Sequence, residues 1–319
     1  MLGRRLLQGV VVWCGMAMMP AFAQSLPPLT LVVGFSSGGG VDTLARLIAQ
    51  ELAPALNRTV LVENRPGAGG TIAADTVARA APDGNTLLFS ETSVLIASHV
   101  FPQVKYKVAD DFKPVAMLAQ SGLAVAVSGS TPFQSLQDVL DAARAKPGAL
   151  SYASAGVGSQ HHLSGEWLKN KAGVDIEHVP YKGGTQAAQD LASGQIPLAI
   201  ASVAVVTPHI DSGRVRILAV LTEQRFASLP EVPTVNETLA GFVSTPSMFL
   251  LAPAGTADEL LEPISQSLES IVVRPKIVQA FAIHGSEPRY MDARALARWM
   301  IDEEKHWVGV MQDANLTFD

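Results

Sequence analysis

The sequence predicts an α/β fold in two domains, and three observations lead there. Short runs rich in valine, leucine and isoleucine alternate with stretches of helical period, which is the pattern of layers built on parallel strands. Corners such as Pro66-Gly67, Pro82-Asp83-Gly84 and Pro147-Gly148 separate the units. The length, 319 residues, exceeds what one hydrophobic core usually serves.

The first segment, 1–23, reads as a secretory signal peptide. Arg4-Arg5 form a basic start, an apolar run follows from Leu6 to Met19, and Ala21-Phe22-Ala23 supplies a small-x-small cleavage site. The run is shorter than the ~20 apolar residues of a membrane span, and the chain is expected to be exported. The one cysteine, Cys14, lies in that segment, so the exported chain would rest on its core without disulfides, and cysteine-type metal sites are excluded. Cleavage removes Arg4 and Arg5 from a chain of net charge −6, leaving −8. Such a balance argues against nucleic acid as a partner but leaves small anions open, because local dipoles can hold a carboxylate.

Strands are expected at 30–35, 60–63, 86–90, 123–128, 150–154, 176–179, 198–201, 216–221 and 248–252. Between them, Val41, Leu44, Ala45, Ile48 and Leu52 share one helical face, as do Leu136, Val139, Leu140 and Ala143. Both stripes read as core. A long closing helix is expected over 293–312, where Glu303, Glu304 and His306 read as a solvated face and not a metal site. The chain is expected to cross between domains in strands, with breaks near Val125 and Pro246. The first domain is then discontinuous, 24–125 with 247–319, and the second is 126–246.

The loop Gly34-Phe35-Ser36-Ser37-Gly38-Gly39 carries the functional question. Its first five residues match G-x-S-x-G, the turn that exposes a nucleophilic serine. A hydrolase elbow follows several strands, whereas here only about ten residues of the exported chain precede it. The loop also lacks the Gly-Lys-Ser/Thr ending of a phosphate loop and the spacing G-x-G-x-x-G. What remains is a strand that delivers the chain to a helix N-terminus, where N–H groups and the helix dipole favour an anion. Asp42 reads first as a group that charge-stabilises the helix start, and second as a ligand contact. A similar corner recurs from Tyr152 to Leu163, through Ser154, Gly156, Gly158, Ser159 and two histidines. Two helix starts, one per domain, could face each other across a cleft.

These residues carry a family likeness. Phe35, Gly38, Gly39 and Asp42, then Val62-Glu63-Asn64-Arg65-Pro66-Gly67-Ala68-Gly69-Gly70 and Ala81-Pro82-Asp83-Gly84, occur in a recognisable order. Asp111-Phe112, the Tyr152 to Leu163 loop, His178-Val179-Pro180-Tyr181-Lys182-Gly183-Gly184, Leu229-Pro230-Glu231-Val232-Pro233-Thr234 and Ala252-Pro253-Ala254-Gly255-Thr256 continue it. The sequence resembles the receptor proteins of tripartite tricarboxylate transporters, the Bug family of periplasmic solute-binding proteins. The resemblance implies a two-domain, type II-like binding protein hinged by crossing strands, which grips a small carboxylate in the cleft through backbone groups and bridging waters. It also implies delivery to a membrane transporter or a sensor.

The expected ligand-binding set is Phe35, Ser36, Ser37, Gly38, Gly39 and Asp42 in one jaw, with Ser93, and Ser154, Gly158 and Ser159 in the other, with Ala201. No cofactor, no metal and no catalytic residue is expected, and nothing demands more than a monomer. Family members often carry proline and alanine where this chain has Ser36 and Ser37, and an aspartate where it has Ala201. If position 201 faces the cleft, a ligand ammonium loses its partner and a plain carboxylate is favoured over an amino acid. His178 and His209 read as structural, and His162 as a group that fixes the second loop. Two alternatives stay open: a secreted hydrolase using Ser36, and an interaction module that has lost its ligand.

Overall fold

The structure, a computed structural model, describes residues 26–226, 228–313 and 316; the expected signal peptide lies outside them. The chain begins with β1 (Leu29–Val33), α1 (Gly40–Ala55), β2 (Val60–Asn64), α2 (Thr71–Ala78), β3 (Thr86–Glu91), α3 (Ser93–Val100), α4 (Val108–Asp111) and β4 (Phe112–Ser121). It continues through β5 (Leu123–Ser128), α5 (Leu136–Ala145), β6 (Ser151–Ser154), α6 (Gln160–Ala172), β7 (Glu177–Pro180), α7 (Gly184–Ser193), β8 (Leu198–Ser202), α8 (Val203–Val206), β9 (Val215–Val220) and α9 (Val235–Thr238). It closes with β10 (Ser247–Pro253), α10 (Asp258–Val272), α11 (Pro275–Ile283), β11 (Ser286–Asp292) and α12 (Ala293–Asp313).

The strands form a six-stranded sheet, β11-β4-β10-β3-β1-β2, and a five-stranded sheet, β7-β6-β8-β5-β9. The expected parallel layers hold for part of each. β1 pairs parallel with β2 and β3, and β6 with β7 and β8, whereas β10 and β5 run antiparallel to both their neighbours. The reason is connectivity. The chain leaves the first sheet at Ser121, enters the second at Leu123, and returns at Ser247, so Val125 lies inside β5. The two passages are tied together where Ser121 N–H donates to Pro246 O at 2.7 Å, and Gly122 N–H donates to Gly285 O, just before β11, at 2.8 Å.

Two strands escape the sequence reading. β4 contains Pro114, which lacks a backbone donor, and a register shift in the pairing with β10 accommodates it. β11, Ser286-Glu287-Pro288-Arg289-Tyr290-Met291-Asp292, is a charged edge strand with no apolar run.

Each sheet is buried on both faces. Leu31, Val33, Leu87 and Phe89 point towards α1, α10 and α11, and Val32 and Leu88 towards α2, α3 and α12. The face of α1 expected from periodicity, Val41, Leu44, Ala45, Ile48 and Leu52, is buried, and so is that of α5. A further cluster joins the halves: Ile96 and Val100 of α3, Leu163 of α6, and Trp307, Val310 and Met311 of α12. Trp307 is fully buried there, with its indole N–H on Glu303. Trp307→Ala should cost about 3 to 5 kcal/mol in urea unfolding; a loss below about 1 kcal/mol would show that α12 does not brace the two halves.

Candidate functional site

The two glycine corners are built alike. Gly39 N–H donates to Ser36 O and Ser159 N–H to Gly156 O, each at 3.2 Å, closing four-residue turns. The third residue of each turn, Gly38 or Gly158, has φ of +82° or +73°, the region that a type II turn reserves for glycine. In each, that glycine's N–H donates to the side chain four residues on: Gly38 to Asp42 Oδ2 at 2.8 Å, and Gly158 to His162 Nδ1 at 3.2 Å. Each loop is thereby fixed to the first turn of its own helix.

Asp42 is the anchor of the first loop and is 1 % exposed. Beyond Gly38 it accepts from Arg46 Nε at 3.0 Å and from Asn64 Nδ2 at 2.7 Å, while the same Asn64 amide holds Phe35 O at 3.0 Å. Burial alone would raise its carboxyl, but the bonds from Arg46, Gly38 and Asn64 together with the Arg46 charge outweigh it and hold the group below its ordinary value. The structural role expected for Asp42 is therefore the one its contacts serve.

In the second loop, the His162 ring stacks on His178 with centroids 3.9 Å apart, and His178 Nε2 is 2.7 Å from Ser154 Oγ. Burial, first among the causes, pushes both imidazoles down to about 4. Neutral rings at pH 7 leave His162 Nδ1 able to accept from Gly158. Ser159 caps α6 through His162 N–H at 3.3 Å and donates to Gly156 O at 2.6 Å.

Most of the expected site residues therefore build the loops. The N–H groups of Gly38, Gly39, Gly158 and Ser159 are taken, Ser37 Oγ is 3.5 Å from Asp42 Oδ2, and Ser93 Oγ is 3.3 Å from Gly69 O. The donors left for a ligand are the neighbours in each first turn, Gly40 and Val41 in α1, and Gln160 and His161 in α6, whose N–H groups precede the helical ladder. Ala201 requires a correction. It is 1 % exposed and packs among Ala124, Ala153, Ala188 and Leu191, because its side chain falls on the α7 face of the sheet. The adjacent Ser202 meets His161 Nε2 at 3.0 Å.

The halves touch through a residue the sequence did not flag. A Cβ added to Gly158 would lie 2.8 Å from Phe101 Cζ and 2.6 Å from Val100 Cγ1, and one added to Gly69 would lie 3.5 Å from Phe101 Cε2. Gly70 in turn abuts the Phe35 ring. Phe101 thus wedges between the loop beside the first jaw and the tip of the second. No motif marks it; an isolated aromatic after an apolar helix reads as core.

Among the described residues no imidazole or carboxylate hydrogen-bonds the Ser36 hydroxyl, and Asp42 is committed elsewhere. Of the acidic and histidine residues on α12, Glu303 holds Trp307, Glu304 pairs with His99 at 2.9 Å, and His306 packs on Trp167. A cavity of about 420 Å³ lies away from the loops, behind the crossing strands, between Gln120, Arg289, Trp299 and Phe226.

Two α/β layers joined by paired crossings, with matched helix-start loops at the strand ends between them, define a two-domain periplasmic-type binding protein. The chain belongs to the tripartite tricarboxylate transporter receptor family, whose match, described as "Tripartite tricarboxylate transporter family receptor", covers residues 44–316. BugT of Bordetella pertussis is 33 % identical over 92 % of this chain and 92 % of its own. A solved R. palustris protein with adipate superposes with a TM-score of 0.86 at 32 % identity, covering 91 % of this chain and 98 % of that one. MatC from Rhodopseudomonas palustris, with bound malate, gives 0.81 at 30 % identity, over 89 % and 98 %. No helix among the described residues is long and apolar enough to cross a membrane.

Asp42→Ala should lower stability by about 2 kcal/mol, because the Gly38 N–H and the Asn64 amide lose their acceptor. A carboxyl held below its ordinary value of 3.8 contributes fully above that pH and fades as pH falls through the folded-state value. The gap between wild type and variant in urea melts should accordingly narrow from pH 6 to pH 3. A gap independent of pH would contradict the pairing.

Proposed function

We propose that this receptor is exported by its N-terminal signal segment and closes as a clamp on a small carboxylate in the periplasm, for delivery to a membrane transporter or a sensor. One observation carries the proposal: two turn-and-helix starts, each locked by a side chain four residues on, connected across the halves by Phe101. Such paired N-termini offer N–H donors and positive dipole ends to one anion. The relatives solved with adipate and malate support this class of ligand.

The proposed domains follow the sheets, with the chain passing between them around Gly122 and before Ser247. The preference for acids without an amine no longer rests on Ala201, which belongs to the core. Catalysis is not part of the proposal, since Ser36 has neither base nor partner among the described residues. A dissociation constant in the micromolar range, about −8 kcal/mol, suits capture followed by release.

In a thermal-shift screen of the exported chain, a di- or tricarboxylate at 100 times its dissociation constant should stabilise by about 2.7 kcal/mol, a few degrees at this size. Silence across these acids, with protein freed of copurified ligand by refolding, would count against the proposal.

Gly158→Ala places a methyl against Val100 and Phe101 at a positive φ, opposing closure. Its affinity for the acid found should fall at least about tenfold, the equivalent of 1.4 kcal/mol, and unchanged affinity would sink the closing contact.

A further inference from the structure

Each glycine corner is held a second time, by one residue of the parallel strand beside it. In the first corner that residue is Asn64, which ends β2 level with Val33, the end of β1. Its amide gives one hydrogen to the anchor, Asp42 Oδ1 at 2.7 Å, and the other to the loop, Phe35 O at 3.0 Å. Both partners only accept, and Arg46 Nη2 donates to Asn64 Oδ1 at 2.8 Å, so the amide is used in full and in one orientation. Gly38 N–H takes Asp42 Oδ2 and Asn64 takes Oδ1, which fixes the plane of the carboxylate.

In the second corner the residue is His178 of β7, the strand parallel to β6. Its ring stacks on the anchor, His162, with the planes 16° apart. Its Nε2 lies 2.7 Å from Ser154 Oγ, where the loop begins, and that hydroxyl accepts from Gly156 N–H at 3.1 Å. Tyr152 supports the stack from β6, its ring centroid 5.0 Å from that of His178 and its hydroxyl 3.2 Å from His162 O. A backbone N–H only donates, so the His162 ring must present Nδ1 to Gly158. A ring turned over would present a carbon instead, and the stack opposes that turn.

The two arrangements agree although their chemistry differs. In each, one side chain from the neighbouring strand touches both the anchor and the start of the loop, and it suits the anchor it meets: an amide donor for a carboxylate, a ring face for an imidazole. An anchor left free to turn would have to be ordered when the ligand arrives, and that ordering would subtract from affinity. We propose that Asn64 and His178 are positioning residues for capture, each setting its loop through the anchor that it holds. The role rests on the carboxylate clamp.

Double-mutant cycles separate this role from a purely structural one. Adipate and malate are titrated by calorimetry into wild type, Asn64→Ala, Asp42→Ala and the pair, and likewise into His178→Ala, His162→Ala and the pair. Loss of Asn64 or His178 alone should weaken affinity about fivefold, the scale of one hydrogen bond. Without the anchor there is nothing left to position, so the same loss should then cost less than about twofold. His178→Phe keeps a ring on His162 while losing the Ser154 contact, and should regain part of the affinity that His178→Ala loses. Amide exchange without ligand supplies an independent readout: Gly38 N–H should lose protection in Asn64→Ala, and Gly158 N–H in His178→Ala. Full affinity in Asn64→Ala and His178→Ala, or losses that add in full to those of the anchors, would overturn the proposal. Binding of neither acid by wild type, with the exchange differences present, would overturn the carboxylate clamp and the role in capture with it.

Discussion

The clasp depends on one repeated constraint: a glycine N–H at the tip of each loop is bound by a side chain in the following helix. A loop of small residues would otherwise sample many conformations, and ordering it on binding would subtract from affinity. Gly38 on Asp42 and Gly158 on His162 settle that order before a ligand arrives. The chemistry of the anchors differs while the geometry agrees. A carboxylate accepts until acid protonates it, whereas an imidazole accepts at Nδ1 only while neutral, and burial under the His178 stack keeps it so.

From these locked corners the rest of the molecule follows as support. The parallel strands β1 and β6 deliver the chain to the two corners, and α1 and α6 carry it away. The antiparallel strands β4, β5 and β10 pass between the sheets, so the halves are joined by paired backbone and not by a single flexible tether. α12 spans both halves through Trp307, and Phe101, packed on the same cluster, meets Gly158. A ligand can favour the closed arrangement only by binding it better than the open one, and the Phe101 contact is one place where that difference is exposed to mutation.

Much of the fold was legible because strands and helices announce themselves by period. The stripes on α1, α5 and α12 and nine of the strands are local patterns. β4 was not legible, since Pro114 breaks the expected strand grammar and a register shift in space restores it. β11 was hidden by its charges, which an edge strand tolerates. In the site, the sequence marked both glycine corners but not which of their polar groups are bonded within the loops. Spacing shows that Gly38 and Asp42 lie on one corner, but it does not show that they bond to each other and so occupy the Gly38 N–H. Ala201 failed for a related reason: which face of β8 it occupies depends on register with β5.

The central claim is that one carboxylate is held between two helix starts, and a crystal structure of the exported chain with the acid that stabilises it most tests this directly. The account predicts carboxylate oxygens within about 3 Å of first-turn N–H groups, from Gly40 and Val41 on one side and Gln160 and His161 on the other, directly or through one water. A ligand seated instead in the cavity beside Arg289 and Trp299, or touching one loop alone with the Phe101 contact open, would contradict it.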